Sequence, residues 1–273
     1  MNRLIKNAAA FGFLILFLPY TMTLLMNGRQ GIHREEELSS LEYQVLSCLM
    51  SEDYSWMEDE TLELMAVLYR TECVRTGEQG KTEVQTEIYE QNYDRMYDAA
   101  AKTEGQVIKV EGEYKELPYH AVSGGRTRDG VLLGAEYAYV LAADCPDDKE
   151  SEDYLQICRT SREELGQMLD TELPEHFLED MVIERDGADY VSRVVIGDQE
   201  WQGEAFRSLL HLPSSSFRLE QDAAEDEIRI TVKGSGHGFG ISLYTADRMI
   251  RDGAELEEVI QKFYQDAVCI TIP

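Results

Sequence analysis

The chain has 273 residues and carries 53 acidic against 25 basic side chains, a formal net charge of -28. A field of that sign repels a phosphate backbone, which excludes nucleic acid as a partner, and the excess acid reads as a solvated surface with no address for a particular ligand. Five cysteines, Cys48, Cys73, Cys145, Cys158 and Cys269, are scattered without CxxC spacing. They argue against a zinc finger, and no metal or cofactor is expected.

The first element is an uncharged apolar run from Ala8 to Met26. At ~1.5 Å of rise per residue it matches the ~30 Å of a bilayer's hydrocarbon. Residues 1–28 therefore read as a cytoplasmic tip and transmembrane anchor. No small-residue cleavage pattern comes after it, and Arg3 and Lys6 on the short side keep the N-terminus in the cytoplasm. Residues 35–273 then form an extracytoplasmic domain. In that oxidising compartment Cys145 and Cys158 are open to forming a disulfide, or to joining His120 as a metal set; sequence leaves both open beside the simpler reading of buried thiols.

Glu35 to Glu52 shows helical spacing at Leu38, Leu41, Val45 and Cys48, with Glu52 next on that stripe. If the helix continues, the Glu52 carboxyl is partly desolvated, which favours the protonated form of a general acid; if it ends earlier, the side chain is solvated. Asp59 to Thr76 predicts a second helix with Leu62, Ala66, Tyr69 and Cys73 on one face, and Glu60, Glu63 and Arg70 elsewhere. Glu87 to Lys102 predicts a third. Val107–Val110 and Glu113–Ala121 suggest a hairpin turning at Glu111-Gly112, followed by the polar loop Ser123-Gly124-Gly125-Arg126-Thr127. Ser161 and Glu164 have capping-box spacing for a short helix. Met181–Ile196 reads as a hairpin about Asp186-Gly187, Glu204–Leu210 as a helix before Phe217–Glu220, and Ile228–Val232 as a strand.

Next comes Gly234-Ser235-Gly236-His237-Gly238-Phe239-Gly240-Ile241-Ser242, before a helix over Thr245–Ile250. Four glycines in seven residues let backbone approach a ligand closely, or make a tight structural turn. The dinucleotide register GxGxxG fails, since Phe239 stands at its third glycine. Helices alternating with hairpins predict an α+β fold, here an N-terminal transmembrane helix followed by a mixed helix and antiparallel-hairpin domain.

Four ordered blocks together resemble the SpoIID/LytB family. Ser51-Glu52, Glu60-Thr61-Leu62 and Ala66 to Thr71 are similar to the family's Glu-Met-Pro block and the helix after it. Tyr119-His120-Ala121-Val122-Ser123-Gly124-Gly125-Arg126-Thr127 resembles its Tyr-His-x-x-Ser-Gly-Gly-x-Thr loop. Phe206-Arg207-Ser208-Leu209 through Phe217 resembles a third block, and Gly236 to Ser242 with Phe263-Tyr264 a fourth. The resemblance implies a peptidoglycan lytic transglycosylase of sporulation and engulfment, with glycan strands as substrate and a peptide-stripping amidase and other engulfment proteins as partners. It places the catalytic acid at Glu52, with Glu60 second, and substrate contacts at Arg70, His120, Ser123, Gly124, Gly125, His237, Gly238 and Ser242.

The chain departs from the family's pattern at Asp53-Tyr54, Glu63, Met65 and Leu243. Met65 and Leu243 stand where the family has polar side chains, which predicts lost hydrogen bonds to sugar. Asp53, Glu58 and Asp59 add like charge around Glu52. The alternative reading is a non-catalytic wall-binding protein or amidase enhancer of the LytB type.

Overall fold

The computed structural model describes residues 38–77, 92–222 and 227–273. The apolar run Ala8–Met26 and residues 87–91 of the third expected helix lie outside them. Among the described residues no helix is long and apolar enough to cross a membrane.

The fold is mixed α+β and is built around two apolar cores. The first is helical. Helix α1 (Ser40–Leu49), N-capped by the Ser39 hydroxyl, packs with α2 (Asp59–Thr76) and α3 (Tyr93–Lys102). Helix α2 has the expected bounds and stops at Gly77, whose left-handed φ of 63° suits a residue without Cβ. Its burial differs from the expected single face: Leu62, Leu64, Met65, Ala66, Val67 and Arg70 are all buried, so α2 is the central strut of this core.

Strand β1 (Gln106–Val110) corrects the expected first hairpin. The chain does turn at Glu111-Gly112, with Val110 bridging Glu113, but β1 pairs antiparallel with β10 (Ala267–Thr271) at the far end of the chain. The expected return strand contributes only β2 (Tyr119–His120), which runs parallel to β9 (Ile241–Ser242). Local alternation names a strand; it does not name a partner more than a hundred residues away.

The second core lies between two three-stranded antiparallel sheets and their helices. One sheet has the order β3 (Leu155–Thr160), β8 (Glu227–Lys233), β7 (Phe217–Asp222). The other runs β4 (Val182–Arg185), β5 (Val191–Ile196), β6 (Gln199–Gln202), which includes the expected hairpin about Asp186-Gly187. Helix α4 (Arg162–Met168) carries the full Ser161/Glu164 capping box, α5 spans Phe177–Asp180, and α6 spans Gly203–Leu209. The chain then returns through the glycine loop to the first core, where α7 (Leu243–Arg251) and α8 (Leu256–Phe263) complete it.

None of the five cysteines is in a disulfide; Cys145 is fully buried and bonds the Ala143 carbonyl. Among the described residues no group of three or more His, Cys, Asp and Glu side chains is placed to hold a metal, so His120, Cys145 and Cys158 do not assemble into one.

Candidate functional site

Helix α1 ends at Leu49, and Glu52 lies beyond it, exposed to solvent. The apolar stripe therefore stops short of the carboxyl, and of the two sequence readings the solvated one holds. Glu52 leads into a tight loop. The Met57 N–H donates to the Tyr54 carbonyl at 3.1 Å, and the Ser55 N–H to the Asp53 carboxylate at 3.0 Å. That backbone bond holds the Asp53 carboxyl below its usual range, so it stays ionised. The loop is clamped from outside as well. The Glu58 N–H and Thr61 hydroxyl donate to Asp247 on α7, Arg95 pairs with Asp59, and Arg251 pairs with Glu58. The acids expected to crowd Glu52 are thus occupied by partners of their own.

Inside this loop lies a cluster of three phenols that sequence reasoning does not single out. The Tyr54 and Tyr69 hydroxyls are 2.7 Å apart, and the Tyr119 ring meets Tyr69 edge-on at 6.2 Å. Burial pushes all three phenols up, and the charge of Glu52 adds to the shift on Tyr54 and Tyr119. The three stay neutral hydroxyls. In the sequence Tyr54 stands out only as a departure from the motif, and Tyr119 only as the residue before a histidine. Beside the cluster is a cavity of about 380 Å³ lined by Tyr69, Glu72, Lys115, Pro118, Tyr119 and His237. Glu60 lies on the first turn of α2 and lines a different cleft with Glu58, Glu63 and Arg251. A broader cleft of about 670 Å³ beside α4 brings together none of the expected site residues.

The glycine loop reaches the same cavity through His237. Its glycines do permit close approach, but to the protein's own chain. A Cβ on Gly238, at φ 81°, would stand 2.4 Å from the Tyr190 ring, and one on Gly240, at φ 68°, 1.7 Å from the Pro118 carbonyl. The Arg128 N–H donates to the Gly238 carbonyl, and its guanidinium lies over the Phe239 and Tyr190 rings while pairing with Asp186 and Glu204.

Two histidines face each other here with ring centres 5.7 Å apart. His120 is buried, and its Nδ1–H donates to the Phe239 carbonyl at 3.1 Å, leaving Nε2 as a bare acceptor that meets no partner among the described residues. Burial, with His237 adding to it, lowers the His120 pKa to about 3, so the ring is neutral at ordinary pH. Burial also lowers that of His237, whose Nδ1 accepts the Phe239 N–H at 3.1 Å.

Beneath both loops sits Asp148, fully buried and also missed by sequence reasoning. Its carboxylate accepts the Ser123 N–H, the Ser242 hydroxyl and the Thr245 hydroxyl, each at 2.7 Å. One side chain thereby fixes the Ser-Gly-Gly loop and the start of α7 to each other. Nothing in the local pattern marks it; it lies in a short polar turn, Pro146–Glu150.

Several expected substrate contacts are therefore structural. Arg70 is fully buried: it pairs with both oxygens of Glu42 at 2.7 and 2.5 Å and donates to the carbonyls of Gln106 and Ala100. Glu63, also on α2, pairs instead with Lys102. Ser123 and Ser242 are buried in the Asp148 knot, and Gly238 packs on Tyr190. Gly124 donates its N–H to the Tyr190 hydroxyl, and Gly125 its own to Ser123 Oγ. Of the expected contacts, His237 is the one that lines the cavity, with Gly124 and Gly125 half-exposed. Met65 and Leu243 are buried in the helical core, so neither position faces sugar and neither departure removes a sugar contact.

No family model matches the chain. Two curated relatives do: stage II sporulation protein D of Bacillus amyloliquefaciens, 28% identical over 178 residues, and stage II sporulation protein D of Bacillus subtilis (strain 168), 25% identical over 178 residues. Each match covers 65% of this chain and 51% of the relative, so the chain spans about half the length of the curated relatives it matches.

Proposed function

We propose, from its similarity to the two stage II sporulation D proteins, that the chain is a SpoIID-like protein acting on the cell wall during sporulation, as a lytic transglycosylase cleaving peptidoglycan glycan strands. The observation that carries the reading is the exposed Glu52 carboxyl, close enough to the buried Tyr54 and Tyr119 phenols to act on them, with Tyr69, Tyr119 and His237 lining one cavity. One carboxyl is enough for this chemistry. Protonated Glu52 donates to the glycosidic oxygen between N-acetylmuramic acid and N-acetylglucosamine as the bond breaks and positive charge grows on the muramyl anomeric carbon. The resulting carboxylate then removes the proton from the muramyl C6 hydroxyl. That oxygen attacks the anomeric carbon from within the same sugar and closes a 1,6-anhydro ring, so no water enters the product. The neutral phenols offer hydrogen bonds without competing for the proton.

The same reading proposes the Ala8–Met26 run as a single-pass anchor holding the domain outside the cytoplasm. A peptide-stripping amidase and other engulfment proteins stand as proposed partners. The LytB-type alternative loses the support that Met65 and Leu243 gave it, since both are core positions.

The test is mass spectrometry of peptide-free wall glycan incubated with the full chain and with Glu52→Gln. Muramyl 1,6-anhydro ends that vanish in the variant support the reading. Glycan bound but uncut by both proteins points to the non-catalytic alternative.

A further inference from the structure

The loop that carries Glu52 also carries an aromatic side chain that lies outside both apolar cores. Along it Tyr54 and Met57 are buried, while Trp56 between them is 43% exposed. Its indole stacks on the Tyr244 ring, with centres 6.4 Å apart and planes 26° from parallel. Tyr244 is the second residue of α7, just after the glycine loop, and its N–H donates to the carbonyl of Ala121, the neighbour of His120. The Trp56–Tyr244 pair thus joins the acid's loop to the glycine loop's helix at the surface.

The pair is held firmly. Asp247, one turn further along α7, accepts the Glu58 N–H, and Arg95 donates to the Ser55 and Met57 carbonyls on either side of the indole. The exposed indole and the Tyr244 ring behind it form a small, fixed aromatic surface on this pinned loop. Trp201, the other tryptophan, packs edge-on against Phe206 at the second core instead. An aromatic face is electron-rich and flat. The complementary surface is the C–H face of a pyranose, whose hydrogens carry partial positive charge, and rings fixed in advance lose little freedom when a sugar stacks on them.

From this geometry we infer that Trp56, backed by Tyr244, is a sugar-stacking platform that seats one pyranose of a glycan strand next to Glu52. The inference rests on the glycan-cleaving reading and adds a named subsite to it. It also gives Trp56 a positive role at a position where neither the core nor the glycine loop requires a side chain.

The experiment uses the full chain carrying Glu52→Gln, to stop turnover, and Trp201→Phe, so that Trp56 is the sole indole. Titration with peptide-free wall tetrasaccharide is followed by fluorescence and calorimetry. Expected are quenching with a blue shift of Trp56 emission, a Kd raised about tenfold by Trp56→Ala, and substantial recovery in Trp56→Phe. Calorimetric binding with unchanged emission and the same Kd in Trp56→Ala overturns the platform and leaves the cleavage reading intact. No binding by any of these proteins overturns both. The emission titration involves no change at position 56, so it decides the matter even where Trp56→Ala fails to fold.

Discussion

The glycine loop and the Glu52 loop are built on opposite principles. On the glycine-loop side nearly every polar group is committed: Asp148 holds three donors, Arg128 is wedged between two rings and paired twice, and Ser123 and Ser242 face inward. On the acid side the loop backbone is pinned, yet Glu52 and Trp56 are left to solvent. The lesson is that the side with the stronger motif is scaffold, while the side with the weaker motif holds the free chemistry. A glycine-rich loop with a histidine looks like a ligand cradle because glycine permits close approach; here the thing approached is the protein itself.

The contrast breaks most visibly under two substitutions of opposite kind. Glu52→Gln should lower glycan cleavage by about 10²- to 10⁴-fold, the usual worth of general acid and base catalysis, while the thermal midpoint stays within about a degree. A product assay beside a melting curve checks both, and a large loss of stability would move Glu52 to the scaffold side. Asp148→Ala should do the reverse, costing about 3–5 kcal/mol by stranding three buried donors, read as a drop in denaturant midpoint. An unchanged midpoint would mean that the knot is not what holds the loops.

A smaller effect sharpens the comparison through pH. His120 is held neutral, with its folded-state pKa lowered to about 3, whereas in the unfolded chain it titrates near 6.5. Between these values the unfolded state binds the extra proton, so stability falls as pH drops through 6.5, and the loss is complete only near 3. Between pH 6.5 and 5, above the carboxylate range, His120→Asn should flatten that fall by on the order of 1–2 kcal/mol, measured by urea unfolding at several pH values. His237, shifted the same way by burial, should leave a residual slope. At the bottom of the scale is the exposed pair Arg126–Asp144, on the Ser-Gly-Gly loop but outside the knot. Arg126→Ala should change stability by less than about 0.5 kcal/mol in the same assay, since exposed pairs are screened.

Legibility in the sequence tracks the range of the forces involved. The bounds of α2, the Ser161 capping box, the hairpin at Asp186-Gly187, and strand β8 leading through the glycine loop to α7 are all readable, because caps, turns and periodicity act over a few residues. The partner of β1, the Glu42 mate of Arg70 and the three donors to Asp148 are not, because each joins segments far apart in the chain. The phenol cluster sits between these cases. Tyr69 belongs to the apolar face of α2, and Tyr119 lies inside a recognisable motif, but only the fold brings Tyr54 against them.

The pairing of β1 with β10 has a consequence in time. A chain emerging from its N-terminus presents α1, the Glu52 loop and α2 early, while the strand that completes β1, the serine and threonine that bind Asp148, and the tyrosine behind Trp56 all come from its last stretch. Contacts of such sequence separation form late and slowly. The Glu52 loop is therefore made long before its surroundings can position anything against it, and the proposed cutting activity would switch on only when the final helices dock.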